Sequence, residues 1–114
     1  MATARQTGGD AWLRIVLRRG VAFGPGKADL LQMISKTGSI AAAGRELGMS
    51  YSRAWQLVNA MNQEFRSPLV ARVKGGAARG GASLTALGRE VIASYRAAQR
   101  SVAKDVAALR RKLA

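Results

Sequence analysis

The fold is decided by residues 37–65, which read TGSIAAAGRELGMSYSRAWQLVNAMNQEF. Ile40, Ala43 and Leu47 recur at helical spacing and form one apolar stripe, which a glycine then interrupts. Ser50 follows this break and is a residue type that caps helix N-termini. A second stripe with helical spacing comes next and consists of Tyr51, Ala54, Val58, Met61 and Phe65. A short helix, a tight turn and a longer helix predict a helix-turn-helix.

The first of these two helices is rich in small residues, and Gly44 lies in its interior. A glycine at such a position costs about 1 kcal/mol relative to alanine. We therefore expect the second helix to cross closely at Gly44, where a side chain would hold the two backbones apart. An ordinary hairpin of two helices within a bundle would explain the same pattern.

The face opposite the second stripe favours DNA binding over a bundle hairpin. A solvated bundle helix usually mixes Glu and Lys at four-residue spacing. This face instead offers hydrogen-bonding side chains of the kind that read base edges, with a single acid, Glu64, nearby. These side chains are Ser52, Arg53, Gln56, Asn59, Asn62 and Gln63.

The composition describes one folded and strongly basic domain. The 114 residues include 19 basic and 6 acidic side chains, which give a net charge of +13, and 48% of the residues are hydrophobic. A polyanion is the natural partner, and a merely soluble basic protein is the alternative. The basic residues are spread along the chain rather than gathered on one amphipathic helix, which argues against a membrane-surface role.

The residue types present argue against an enzyme and against a metal site. The chain has no Cys and no His, which removes disulfides, thiolate chemistry, histidine-based zinc sites and histidine general bases. The acids are scattered without paired-carboxylate spacing, so no catalytic residue, metal or cofactor is predicted. No apolar run approaches the roughly 20 residues of a membrane span. The N-terminus lacks the apolar core of a signal peptide, and the expected location is the cytoplasm.

The residues before the helix-turn-helix predict a tail, a strand and a helix. Residues 1–10 are small and polar, and we expect them to be disordered. Residues 12–19 alternate in polarity and predict a half-buried strand. The side chains expected on its buried side are Leu13, Ile15 and Leu17. Residues 20–26 contain Gly-Pro-Gly and are predicted to be a loop, and residues 27–36 predict the first helix.

A strand, a Gly-rich loop and a second strand follow the helix-turn-helix. Pro68 ends the second helix, because the residue before a proline avoids the helical region. Residues 69–74 and 82–84 are strand candidates, and they flank GGAARGG at residues 75–81. This arrangement predicts a β-hairpin wing. A flexible linker is the alternative, and a phosphate-binding loop is disfavoured because GGAARGG lacks the Gly-Lys-Ser/Thr ending of a P-loop.

Residues 85–114 predict one long C-terminal helix. Its apolar stripe is nearly continuous and consists of Leu84, Leu87, Val91, Tyr95, Ala98, Val102, Val106, Leu109 and Leu113. A helix over residues 85–113 would be about 43 Å long, which is more than a domain of this size covers by itself. We assign the stripe as far as Tyr95 to the core of the domain. The residues assigned to dimer contact are Val102, Val106, Leu109 and Leu113.

Three segments in this order resemble the N-terminal winged helix-turn-helix domain of the ModE-type molybdate-responsive transcriptional regulators. They are TGSIAAAGRELGMSYSRAWQLVNAMNQ, SPLVARVKGGAARGGASLT and the long helix from Leu87. The part from PLVAR through LTALG is also similar to the DNA-binding domain of LysR-type regulators. The similar region spans residues 12–113 and includes no molybdate-binding domain, so we expect no molybdate site in this chain.

The residues and the resemblance together predict a mainly α fold with a small β-sheet. A winged helix-turn-helix would span residues 11–84, and a long dimerisation helix would span residues 85–114. The resemblance implies a sequence-specific regulator that binds double-stranded DNA as a homodimer on an inverted-repeat operator. The residues that it implies at the base-reading surface are Ser50, Tyr51, Ser52, Arg53, Gln56 and Asn59. The wing residues expected near the DNA backbone or minor groove are Arg72, Lys74 and Arg79.

Two questions stay open from the sequence. Trp55 lies beside the buried stripe, where it could pack on the first helix or stack against a sugar, and we favour packing. The alternative function is an architectural DNA-binding protein with little sequence preference. The polar and largely uncharged face of the second helix argues against that alternative, because pure phosphate binding would favour Lys and Arg there.

Overall fold

A computed structural model describes residues 12–73 and 81–114. The predicted disorder of residues 1–10 and most of the predicted wing loop lie outside these residues. The described chain forms four helices and two antiparallel strand pairs, arranged as a winged helix-turn-helix with a long C-terminal helix. The predicted fold class is confirmed.

The first element of the described residues is a β-hairpin rather than a single strand. Strand β1 (Ile15–Arg18) pairs antiparallel with β2 (Val21–Phe23), and Gly20 makes the turn at φ 80°. The prediction of a strand within residues 12–19 is confirmed, but the loop predicted for residues 20–26 is wrong. The glycines and the proline of that stretch flank a short apolar strand, which gains its stability from pairing with β1.

Leu17 does not share the buried side that the alternation predicted for it. The pairing of the hairpin shifts between Val16, which lies opposite Ala22, and Arg18, which lies opposite Val21. This irregularity breaks the period of two on which the prediction rested. Leu17 is therefore 51% exposed.

Helix α1 (Pro25–Thr37) begins two residues before the predicted start. Proline suits the first turn of a helix because its fixed φ is helical and its missing N–H would have no partner there. The helix ends at Gly38, whose φ of 74° is left-handed.

The largest fully buried side chains of the described residues are Leu30, Leu31, Ile34, Met61, Leu69 and Val58.

Helices α2 (Ile40–Glu46) and α3 (Tyr51–Glu64) form the predicted helix-turn-helix. The hydroxyl of Ser50 accepts a hydrogen bond from the backbone N–H of Arg53 at 3.0 Å, which confirms the predicted cap. The turn between the helices contains Gly48 at φ 73°. The predicted close crossing is also confirmed, because a Cβ on Gly44 would lie 3.0 Å from the Cβ of Ala54.

The wing hairpin pairs β3 (Val70–Val73) with β4 (Gly81–Leu84). Gly81 also forms an isolated bridge with Ser39, and the N–H of Ala82 donates to the carbonyl of Gly38 at 2.9 Å. These bonds attach the hairpin to the start of α2. The base of the wing is therefore part of the core domain.

Helix α4 (Ala86–Arg110) has 25 residues and is about 37 Å long. It ends three residues before the predicted limit of 113, because the backbone tightens into i→i+3 bonds, such as that from the N–H of Leu113 to the carbonyl of Arg110. Its start packs closely on the wing, since a Cβ on Gly88 would lie 2.3 Å from the carbonyl oxygen of Leu69.

The middle of α4 is anchored to the N-terminal part of the domain. Tyr95 is 3% exposed, and its hydroxyl donates to the carbonyl of Leu13 at 2.6 Å. Its ring meets that of Phe23 edge-on, with centroids 5.2 Å apart. The guanidinium of Arg96 pairs with the carboxylate of Asp29 on α1 at 3.0 Å. These contacts hold α4 at its centre, and its distal half continues beyond them.

Candidate nucleic-acid interface

The exposed side of α3 carries all six residues predicted to read bases. Ser50 caps the helix, and Tyr51, Ser52 and Arg53 form its exposed first turn. Two further exposed side chains follow along the helix, Gln56 and Asn59. The side chains are hydroxyls, amides and a guanidinium, which are the groups that hydrogen-bond to base edges.

The opposite side of α3 faces the core. Ala54, Val58 and Met61 are at most 2% exposed. Tyr51 was also predicted to belong to this apolar stripe, and that part of the prediction is wrong because its side chain is 62% exposed. Tyr51 is the first residue of α3, and its ring lies at the surface against the edge of the partly buried Trp55.

Asn62 does not belong to the exposed face where the helical spacing placed it. Its carboxamide oxygen accepts hydrogen bonds from the N–H groups of Leu69 at 2.8 Å and Val70 at 3.1 Å. Its amide nitrogen donates to the carbonyl of Val70 at 3.1 Å. The side chain thus replaces a strand partner at the start of β3. Helical spacing missed this role, and the only signal was an asparagine shortly before a Ser-Pro break and a strand.

Trp55 lies between the buried and exposed sides of α3. It is partly buried and packs against the hydrophobic core, as predicted. The guanidinium carbon of Arg72, on β3, lies 4.8 Å from the centroid of its ring. The ring of Tyr51 meets Trp55 edge-on, with centroids 6.1 Å apart. These aromatic and cationic side chains connect α3 to the wing.

The structure describes one of the three predicted wing residues. Arg72 is exposed and lies on β3, beside α3. Lys74 and Arg79 lie outside the described residues. Glu64, the acid at the C-terminal end of α3, is paired with Lys27 at 3.4 Å. The carboxylate of Glu64 therefore has a positive partner within its own domain.

The described residues show no sign of a metal centre or of a membrane span. Residues 12–73 and 81–114 contain no group of three or more metal-ligating side chains. Over the same ranges, no helix is both long enough and apolar enough to span a bilayer.

Burial, together with a smaller contribution from Asp29, raises the pKa of Tyr95, while Arg96 lowers it. This tyrosine lies in the core rather than on the α3 face.

A family model for the bacterial regulatory helix-turn-helix protein, lysR family, matches residues 27–89. The matched region includes most of α1, the helix-turn-helix, the described strands of the wing and the start of α4. The chain belongs to this family. LysR-family membership assigns α2 and α3 to the helix-turn-helix of a bacterial regulatory protein, in agreement with their geometry.

Relatives of this LysR-family chain include proteins named for molybdenum. The molybdenum-pterin-binding protein MopB of Rhodobacter capsulatus is 42% identical over 117 residues, covering 99% of this chain and 43% of MopB. The molybdenum transport protein ModE of Azotobacter vinelandii is 41% identical over 78 residues, covering 68% of this chain and 29% of that protein. The DNA-binding transcriptional dual regulator ModE of Escherichia coli K12 is 37% identical over 83 residues, covering 73% of this chain and 32% of that protein.

The chain spans less than half the length of each of these three relatives. The predicted resemblance to ModE-type regulators is confirmed for the helix-turn-helix region. The residues predicted to contact bases lie in this helix-turn-helix region.

Proposed function

We propose that this chain is a sequence-specific transcriptional regulator whose α3 reads bases in the major groove of double-stranded DNA. The observation that carries the proposal is the exposed polar side of α3 within a LysR-family helix-turn-helix. Gln56 and Asn59 suit adenine, and Arg53 suits guanine. The hydroxyls of Ser50 and Ser52 suit bases or phosphates, and the positive end of the helix dipole at this turn favours a phosphate.

Positive charge supplies the part of the affinity that does not depend on sequence. The net charge of +13 favours a polyanion, and binding should weaken as salt rises because counterions are released from DNA. The proposed backbone or minor-groove contacts of the wing are Arg72, Lys74 and Arg79. Such contacts orient the protein on the duplex without reading its sequence.

We further propose that the regulator is a homodimer held by the distal half of α4. Leu109 is 66% exposed, and Val102 and Val106 are partly buried. Leu113, just beyond the end of α4, is 76% exposed. Fully burying a Val or Leu side chain is worth about 1.5–3 kcal/mol, and soluble monomers rarely leave such side chains together in water. A two-fold dimer presents its reading helices to symmetric half-sites, so the operator would be an inverted repeat.

In vitro selection from a random duplex library, using the full chain, tests this function. The recovered duplexes should share an inverted repeat whose half-sites are about 10–10.5 base pairs apart, or a multiple of that distance. Such a duplex should bind at least about 10³-fold more tightly than a scrambled duplex of the same composition. Recovery of no shared motif, with equal affinity for scrambled DNA, would instead indicate an architectural DNA-binding protein.

A further inference from the structure

Arg72 occupies a position of the wing hairpin that faces the rest of the domain. Alternate residues of a strand share one face, so Arg72 shares its face with Val70. Their cross-strand partners are Ala82 and Leu84, respectively. Val70, Ala82 and Leu84 are each at most 8% exposed. Arg72 therefore follows a row of buried side chains, and its own side chain is exposed and reaches beyond that row.

The exposed side chain of Arg72 contacts the ring of Trp55 on α3. The guanidinium carbon of Arg72 lies 4.8 Å from the centroid of the indole ring, within the distance at which a cation is attracted to the face of a tryptophan. The indole N–H of Trp55 is buried and has no acceptor among the described residues. Trp55 is thus held by packing against the core and by contacts of its ring, including the edge contact with Tyr51.

Asn62 attaches the same strand to the same helix at a second point. It bonds the backbone of Leu69 and Val70 at the start of β3, whereas Trp55 contacts Arg72 further along the strand. Trp55 and Asn62 are two helical turns apart, or about 10.5 Å along α3. A single attachment would fix only the distance between the wing and α3. Two separated attachments also restrain the rotation of the wing relative to α3.

We infer that Arg72 and Trp55 form a positioning pair, which sets the angle between the wing and the reading helix for binding of specific DNA. The inference rests on the proposed function and concerns how the α3 face is presented to DNA. Arg72 acts through its planar guanidinium stacked on Trp55, in addition to its charge. Helix α3 and the wing then meet the duplex as one unit, and loosening the pair weakens the specific complex more than the non-specific one.

The substitution Arg72→Lys separates stacking from charge, because lysine keeps the positive charge and loses the planar group. Affinity for the best duplex from the selection should fall by about five- to tenfold, with less than about a twofold change for the scrambled duplex. The salt dependence should stay the same, since the charge is retained. Trp55→Leu should produce a similar loss, and Trp55→Phe, which keeps an aromatic face, should restore most of the affinity.

The double variant Arg72→Lys with Trp55→Leu tests whether the two side chains act together. It should bind no more weakly than the weaker single variant, because both changes remove one contact. Fully additive losses, or wild-type affinity for Arg72→Lys, would overturn the inference. So would a variant Arg72→Gln that loses affinity equally for both duplexes, since equal loss is the behaviour of a residue that only contacts phosphate.

A measurement without DNA keeps this inference separate from the proposed function. Protons above the face of an indole are shifted upfield in an NMR spectrum. The side-chain protons of Arg72 should show this shift in the full wild-type chain and in Trp55→Phe, and lose it in Trp55→Leu. An unshifted Arg72 in the wild type would overturn the pairing. A chain with no sequence preference would overturn the proposed function, whereas sequence preference with an unaffected Arg72→Lys would overturn only this inference.

Discussion

Gln56 and Arg53 lie on the exposed side of α3, and each can form a bidentate contact with a base. Replacing either residue by alanine should lower affinity for the selected duplex by roughly 1–3 kcal/mol. Gln56→Ala should leave binding to scrambled DNA nearly unchanged, because the residue has no charge for phosphates. Titrations with both duplexes measure the difference, and Ser101→Ala on the exposed side of α4 is the control. Equal losses on the two duplexes would remove Gln56 from the base-reading residues.

Gly88 is a position where the absence of a side chain allows α4 to pack closely against Leu69. A Cβ there would lie 2.3 Å from the carbonyl oxygen of Leu69, so Gly88→Ala must displace the backbone at the start of the wing. We expect a loss of about 1–3 kcal/mol in the free energy of unfolding, as for other overpacked sites. Gly26→Ala is the matched control, because a Cβ there meets nothing within 4 Å. Urea unfolding of both variants measures the effect, and equal stabilities would contradict the close contact.

At the scale of elements, the anchor between α4 and the chain before β1 makes a prediction about pH. Burial raises the pKa of Tyr95 above its ordinary value of 10.0, so the folded state binds this proton more tightly than the unfolded state. Its contribution to stability is therefore complete below pH 10.0 and is lost as pH rises through the folded pKa. Tyr95→Phe should lose less stability than the wild type in this alkaline range.

The same substitution removes the hydrogen bond to Leu13, which should cost about 0.5–1.5 kcal/mol near neutral pH. Urea unfolding near neutral pH and above pH 10 measures both effects. Tyr51→Phe is the control, because it removes the same hydroxyl from a side chain that is 62% exposed and lies outside the core. Identical alkaline losses in wild type and Tyr95→Phe would show that the phenol does not contribute to the pH dependence.

The elements that the sequence predicted best are those determined by neighbouring residues. Apolar spacing, the cap at Ser50 and the glycine at position 48 are local signals, and they predicted α2, α3 and the turn between them. Strand β2 was missed because three residues become a strand only by pairing with β1. Leu17 was misplaced for a related reason, since the irregular pairing that exposes it depends on both strands.

The sequence predicted the exposed face of α3, but it did not predict the contacts that attach α3 to β3. Helical spacing placed Arg53, Gln56 and Asn59 on the exposed side of α3. Asn62 has the same spacing and turns to the backbone of β3 instead. The contact between Arg72 and Trp55 joins two elements across a turn, and no local pattern indicates it. Spacing shows which residues share a side of a helix, and only packing shows which of them remain free for a ligand.

At the scale of the whole molecule, the proposed dimer depends on apolar side chains of distal α4. Replacing both Val106 and Leu109 by glutamate should convert a micromolar dimer to a monomer, because buried unpaired charges are strongly unfavourable. Sedimentation equilibrium measures the change, and circular dichroism should show the helix content retained. Ala107→Glu, at an exposed position of the same helix, is the control. A monomeric wild type, or a double variant that remains dimeric, would contradict the assignment.

The anchor at Tyr95 also makes α4 a lever. About 22 Å of helix extend from Tyr95 to Arg110, so a tilt of about 10° at Tyr95 moves the far end by about 4 Å. In a dimer joined through the far ends of α4, the distance between the two α3 helices would depend on the tilt of α4 at Tyr95. A substitution in the core at Asp29 or Phe23 could then change the preferred gap between half-sites while every base contact stays the same. The packing of α4, away from the DNA, would then set the distance between the half-sites of the operator.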